Sequence, residues 1–223
     1  MKLAIFDFDG TLFPIDTLRF LLSHWKENKY SKLKYYRSYL LLIGLFMIYK
    51  LDIKSRIPRE TIKNKSLQSF NYIFSGMSED EVIEFLNNCA EGIIELLNPA
   101  VVEEVRKAKN EGYHIVLLSG AYELLLHKVA DYLEIDTVIG TKMHFIDGVF
   151  DYNTKLEIIT GSAKLKQLNK NFKDFSIDLE SSLAFADSIS DIEILKSVGH
   201  PVVVNPDDKL KEIAIESGWR IIT

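Results

Sequence analysis

Asp7 and Asp9 stand one residue apart in the run Ala4-Ile5-Phe6-Asp7-Phe8-Asp9-Gly10-Thr11-Leu12. Two carboxylates this close repel each other unless a cation sits between them or one holds a proton, and either arrangement is a catalytic device. A helix cap or an Asx turn would need only one of them. A second acidic pair, Asp187 and Asp191, brackets Ser188-Ile189-Ser190, and an acid-rich loop of this kind suits a hard cation. Between the two pairs lie Ser119-Gly120, a hydroxyl with backbone amides that could cradle a phosphate, and Lys164. Lys164 falls in the first turn of an expected helix, where a cation opposes the macrodipole. Alone, Ser-Gly reads as a turn and Lys164 as a solvated surface charge.

These residues need elements to position them. Leu3 to Phe6 is a short apolar run, expected to be a strand buried on both faces, with Asp7 at the C-terminal end where an open α/β sheet places chemistry. Four helices are expected next. Asp16 caps the first, which runs to Glu27; the second spans 31–51; the third lies within 57–74; the fourth starts at Ser78, which forms a capping box with Glu81. From Asn98-Pro99, an N-cap followed by proline in the first turn, helices and strands alternate. Strands are expected over 114–118, 137–139, 183–186, 202–204 and 219–222, with a hairpin about Asp147-Gly148. Such alternation gives a doubly wound parallel sheet, so the fold class is α/β with a Rossmann-type core. Residues 1–13 and 98–223 then form this core, and 14–97 form an inserted α-helical cap.

The chain has 223 residues, 47% hydrophobic and 26% charged, which is ordinary for a folded globular protein and excludes disorder. Cys89 is the only cysteine, so no intrachain disulfide can form and a cytoplasmic location is expected. Met1-Lys2 leads directly into the first strand without a signal-peptide pattern. The net charge of −5 conceals an asymmetry: residues 19–65 carry +9, which leaves −14 on the remainder. Within that basic stretch, 38–49 holds no charged residue, and these twelve residues fall short of the roughly 20 that span a bilayer. The plain reading is a helix buried among its neighbours. Flanking Lys32, Lys34, Arg37, Lys50 and Lys54 open two others, contact with a lipid or membrane surface and a dimer face. Nothing specifies a nucleic-acid reader, none of the five histidines has metal-ligand spacing, and oligomeric state is left open.

Taken in order, D-x-D-G-T, then Ser119, Lys164 and D-S-x-S-D resemble the haloacid dehalogenase (HAD) superfamily of hydrolases. The likeness is closest to its phosphoserine phosphatase-like branch (subfamily IB) with an all-helical cap, and Gly199-His200-Pro201 through Asn205-Pro206-Asp207 to Gly218-Trp219 adds to it. The resemblance implies a phosphomonoester hydrolase: Asp7 attacks phosphorus to form an aspartyl phosphate, and Asp9 serves as acid and then base. It further implies Mg2+ held by Asp7, the Asp9 carbonyl and Asp187, phosphoryl oxygens bound by Thr11, Ser119, Gly120 and Lys164, and a supporting role for Ser188 and Asp191. The implied partner is a small-molecule phosphate ester. Phosphoserine phosphatases of this branch carry a Glu soon after the first motif and an Asn before the last Asp; here Phe13 to Arg19 contains no Glu and Ser190 precedes Asp191, so free phosphoserine is not the expected substrate. Other readings are a phosphotransferase or lipid-phosphate phosphatase using the same site, and a non-catalytic anion- or membrane-binding protein. Such a binder would be free to lose Asp7, Asp9, Lys164 or Asp187, yet all four are present.

Overall fold

Leu3 and Ile5 point into one apolar layer while Ala4 and Phe6 point into another, as the two-residue period of a strand requires. That strand is β1 (Leu3–Phe6), and all four of its residues are buried. A computed structural model describes residues 1–28, 30–51 and 59–223. After β1 come α1 (Thr17–Glu27), α2 (Lys32–Leu51), α3 (Arg59–Phe70), a single 3-10 turn (Asn71–Phe74), α4 (Glu79–Ile94) and α5 (Pro99–Asn110). Next are β2 (His114–Tyr122), α6 (Glu123–Leu133), β3 (Thr137–Thr141), the short pair β4 (Phe145–Ile146) and β5 (Val149–Phe150), and α7 (Ser162–Asn171). The chain continues through β6 (Leu183–Ala186), a 3-10 turn (Ile189–Asp191), α8 (Ile192–Ser197), β7 (His200–Val204), α9 (Asp208–Glu216) and β8 (Arg220–Ile222).

Six parallel strands form one sheet in the order β3-β2-β1-β6-β7-β8. Helices α5 and α6 cover one face through Val101, Val105, Leu125 and Val129, and α7, α8 and α9 cover the other through Leu168, Leu195 and Leu210. This is the expected doubly wound α/β core. The chain runs outward in both directions from β1 and β6, so the crevice above their C-terminal ends is the switch point where open α/β sheets bind ligands.

Among the described residues, the segment between β1 and β2 is helical. Its start and return are joined by a hydrogen bond from the Asn98 N–H to the Leu12 carbonyl (2.9 Å). Trp25, Phe74, Phe85 and Phe150 form an edge-to-face aromatic cluster that knits α1, the first 3-10 turn, α4 and β5 together. The capping box at Ser78 and Glu81 is present, and the hairpin of β4 and β5 is fastened beside it by Glu79 N–H to Gly148 carbonyl (2.8 Å) and Phe150 N–H to Met77 carbonyl (2.9 Å).

Two expectations change. β2 does not stop at Leu118: its register to β3 shifts there and pairing resumes at Tyr122 with Thr141, so Ser119-Gly120 lie within an irregular strand and not in a turn. Helix α2 is not buried either. Of its described side chains only Ser38 is buried, while Leu33, Tyr36, Leu40 and Met47 are exposed. A helix apolar on every side can hide only the side that meets neighbours, and α2 rests on α1, α3 and the 3-10 turn. Two of its cations are engaged: Lys34 Nζ donates to the Ser75 carbonyl (2.6 Å), and Arg37 lies over the Tyr72 ring at 3.7 Å. Lys54 and residues 57–58 of the expected third helix lie outside the described residues, as do the side chains of Tyr49 and Lys50. No helix among the described residues is long and apolar enough to cross a membrane.

Candidate active site

Phe6 is in register with Leu117 of β2 and Phe185 of β6, so all three strands reach the same sheet edge together. That register brings Asp7, Ser119 and Asp187 to one crevice. The Asp7 N–H donates to the Phe185 carbonyl (2.9 Å), which fixes the backbone at the point where the strand ends. From the first turn of α7, Lys164 enters the crevice, 5% exposed. Its Nζ lies 2.6 Å from Asp7 Oδ1 and 2.6 Å from Asp191 Oδ1. Burial alone would lower the Lys164 pKa, but the Asp191 and Asp7 carboxylates outweigh it and hold the ammonium above the usual lysine value. The buried lysine therefore remains a cation, unlike the solvated residue that its sequence context alone suggests.

The turn after Asp7 is tightly organised. Phe13 N–H and Thr11 N–H both donate to the Phe8 carbonyl (2.9 and 3.1 Å), and Gly10 N–H returns to the Phe13 carbonyl (2.7 Å). Gly10 adopts φ +81°, open to glycine at little cost, and a Cβ there would stand 2.3 Å from Asp187 Oδ2. Thr11 is fully buried and its Oγ1 has no hydrogen-bond partner, which suits a hydroxyl awaiting a ligand oxygen. Asp9 Oδ1 accepts from the Thr17 backbone N–H (2.8 Å) and from the Thr17 hydroxyl. Thr17 opens α1, so the carboxylate also meets the positive end of that helix.

Asp7, Asp187 and Asp191 each offer a carboxylate oxygen, and these oxygens lie within 4.8 Å of one another. Such a set of hard donors fits a small divalent cation. Asp191 thus joins this cluster directly, whereas the Asp9 side chain turns toward Thr17. Ser188 is buried, and its Oγ accepts from the Ser190 N–H (3.4 Å) and hydroxyl (3.1 Å), shaping the loop between the two acids. Asp207 anchors the same loop: its N–H donates to the Asp187 carbonyl (3.0 Å), and its carboxylate accepts from Ile189 N–H (3.1 Å) and Leu210 N–H (3.0 Å). Ser119 is buried and its Oγ accepts from the Ala121 N–H (3.1 Å), so that amide is turned inward to the loop's own hydroxyl. Thr141 Oγ1 donates to the Gly120 carbonyl (2.8 Å).

Above Asp7 opens a cavity of about 480 Å³ whose floor includes Asp7, Asp9, Ser119, Gly120 and Lys164. Its walls come from α1, α2 and α3, together with Ile158 and Thr160. Three polar side chains one helical face apart tie the α3 side to the core. Asn64 Oδ1 accepts from the Thr160 hydroxyl (3.0 Å), Gln68 Oε1 from the Leu156 N–H (3.2 Å), and Asn71 Oδ1 from the buried Tyr122 hydroxyl (2.5 Å). Sequence reasoning missed these three, along with Thr17 and the anchoring part of Asp207. The spacing of Asn64, Gln68 and Asn71 was a usable signal, because i, i+4, i+7 is one stripe of a helix.

A family model described as haloacid dehalogenase-like hydrolase matches residues 4–196. A histidinol-phosphatase of Neisseria meningitidis serogroup C (strain 8013) is 27% identical over 236 residues, covering 99% of this chain and 98% of its own. A phosphoserine phosphatase of Methanocaldococcus jannaschii is 28% identical over 112 residues, 50% of this chain and 53% of its own. Several other curated relatives are longer, and the chain spans 36–50% of their length. In fold, a Bordetella pertussis Tohama I protein of unknown function superposes with a TM-score of 0.81 at 20% identity, covering 100% of this chain and 98% of that one. With the motifs in order on this sheet, the chain is similar to phosphoserine phosphatases over about half its length and belongs to the haloacid dehalogenase-like hydrolases.

Proposed function

We propose that this chain is a magnesium-dependent phosphomonoester hydrolase acting on a small phosphorylated metabolite other than free phosphoserine, through a phosphoaspartyl intermediate on Asp7. The observation that carries this reading is the buried Lys164 ammonium, 2.6 Å from Asp7, at the floor of a cavity that also includes Asp9. Asp7 attacks phosphorus in line and the ester P–O bond breaks. Asp9 gives its proton to the departing alkoxide. Asp9 then takes a proton from the water that attacks the same phosphorus, the bond to Asp7 breaks, and inorganic phosphate leaves. Ser119, Gly120, Thr11 and Lys164 hold the phosphoryl oxygens, with Lys164 offsetting the charge that gathers on them.

Asp7, Asp187 and the Asp9 carbonyl would hold the cation, with the Asp191 carboxylate beside them. The donor chemistry fits: three carboxylate oxygens lie within 4.8 Å of one another, and Gly10 leaves the space that Asp187 occupies. When bound, the ion supplies positive charge between a carboxylate and a phosphate dianion. Residues 14–97 act as an inserted cap over a core of 1–13 and 98–223, a division supported by the Leu12 to Asn98 hydrogen bond. The lone buried thiol of Cys89 supports a cytoplasmic setting.

The test is phosphate release from p-nitrophenyl phosphate and a panel including L-phosphoserine and L-histidinol phosphate, with magnesium and with EDTA. Wild type turns over the aryl ester only with metal, and Asp7→Asn lowers kcat at least about a thousandfold. A wild type inert across the panel with metal present overturns the reading; efficient use of L-phosphoserine overturns its substrate clause.

A further inference from the structure

Beyond its charged floor the cavity changes character. Leu18, Tyr39, Leu42, Ile43, Ile62 and Ile158 all line it. Asp7 and Lys164 are its only lining charges, among the described residues, that are buried, and both belong to the phosphate end. Of the other three, Asp9 is half-buried on the same floor and turned to Thr17, while Asp16 and Arg19 are both exposed, one of each sign, and Asp16 Oδ1 already accepts from the Arg19 N–H (3.1 Å). An alcohol bearing an ammonium or carboxylate would therefore lose water against this wall without gaining a buried partner. An alkyl chain would lose nothing.

A second observation points the same way. Tyr39 and Ile43 line the cavity and are also 41% and 40% exposed, so the apolar wall passes through the mouth to the outside of α2. There Leu33, Tyr36, Leu40 and Met47 continue it at helical spacing. An amphiphile entering from that side would meet a largely apolar surface, with Lys164, the one buried cation lining the cavity among the described residues, at the far end.

We propose that the substrates are phosphate monoesters of apolar alcohols, alkyl phosphates whose chain lies between α1, α2 and α3 while the phosphoryl group rests on Asp7 and Lys164. This rests on the reading of the site as a phosphomonoesterase. The volume of about 480 Å³ is that of a typical small-ligand site and exceeds what a phosphoryl group alone requires. Ester chemistry is unchanged: water supplies the atoms, and the alcohol and inorganic phosphate are the products.

The experiment is a chain-length series of butyl, hexyl and octyl phosphate below their micelle concentrations, with p-nitrophenyl phosphate as reference. Burying each methylene raises kcat/KM about fourfold, so octyl, with four more than butyl, exceeds it by about 250-fold. Leu42→Asp collapses the octyl-to-butyl ratio toward one; Ile43→Asn, at a more exposed position, lowers it and guards against a folding failure at Leu42. Because each variant is judged by its own ratio, lost protein does not mimic the effect. A flat or falling series with the aryl ester still hydrolysed overturns this inference alone, whereas loss of all turnover overturns the phosphatase reading beneath it. Phosphatidate in phosphatidylcholine vesicles identifies the source: its hydrolysis assigns the α2 stripe to a bilayer, and a rising series without it assigns a dissolved amphiphile.

Discussion

Gly10 and Asp187 approach so closely that a side chain on the first would displace the carboxylate of the second: the added Cβ would lie 2.3 Å from Oδ2 and 2.5 Å from Cγ. Gly10→Ala therefore combines a conformational cost at φ +81° with a forced movement of an acid in the proposed cation site. Asp187 cannot shift with its loop, since its carbonyl is held by Asp207. The expected outcome is a loss of ~1–3 kcal/mol in stability and about a hundredfold in kcat. A magnesium titration checks the cause, because half-maximal activity moves to higher magnesium concentration; an unmoved titration assigns the loss to the backbone alone.

Thr17 holds Asp9 from the N-terminus of α1 with two donors to the same oxygen. Thr17→Val removes the hydroxyl and keeps the backbone donor and the shape. Turnover falls about tenfold with KM little changed, and the loss is greater for alkyl than for aryl esters, since only the poor leaving group depends on a well-aimed proton. Thr17→Ser restores the hydroxyl and with it most of the rate. Steady-state kinetics on both ester classes decide this.

Glu104 of α5 and Arg220 of β8 join across the sheet edge through two hydrogen bonds, at 2.7 and 2.8 Å. Those bonds hold the Glu104 pKa below its ordinary value of 4.5, against the opposing effect of burial and with a smaller contribution from Lys107. A depressed carboxyl contributes stability that is complete above the unfolded value and is lost as pH falls through the folded one. Arg220 is 53% exposed, so solvent screening limits the pair to ~1 kcal/mol. Glu104→Gln accordingly lowers Tm by about 2–4 °C at pH 7, and the gap to wild type narrows below pH 4 in thermal melts.

Much of this molecule is readable in one dimension. β1, the capping box at Ser78 and Glu81, the Asn98-Pro99 helix start and the hairpin at Asp147-Gly148 all arise from local chemistry, and each is present. Asp7, Asp9, Lys164 and Asp187 sit where strands end or helices begin, and Ser119 where β2 loses its register to β3, which is why their order in the sequence suggested one crevice. What escaped reading depends on partners distant in sequence. The continuation of β2 past Ser119 exists because Tyr122 finds Thr141 after a register shift. The outward face of α2 depends on how few elements reach it, and no periodicity in an all-apolar run can state that. Asp191 and Lys164 are 27 positions apart in the chain, and only the packing of α7 beside the 3-10 turn at Ile189 brings them to 2.6 Å.

The polar stripe of Asn64, Gln68 and Asn71 carries one more consequence. All three side chains grip the core from a single face, so rotating the helical stripe by one residue, about 100°, would release them together. One of them, Asn71, is seated on a hydroxyl wholly shut off from water. In the proposed reaction, the wall that would meet the far end of a substrate is therefore pinned at a set distance from the carboxylate that would meet its phosphorus. The enclosure works as a ruler, with its zero at Asp7 and its scale fixed by three amides.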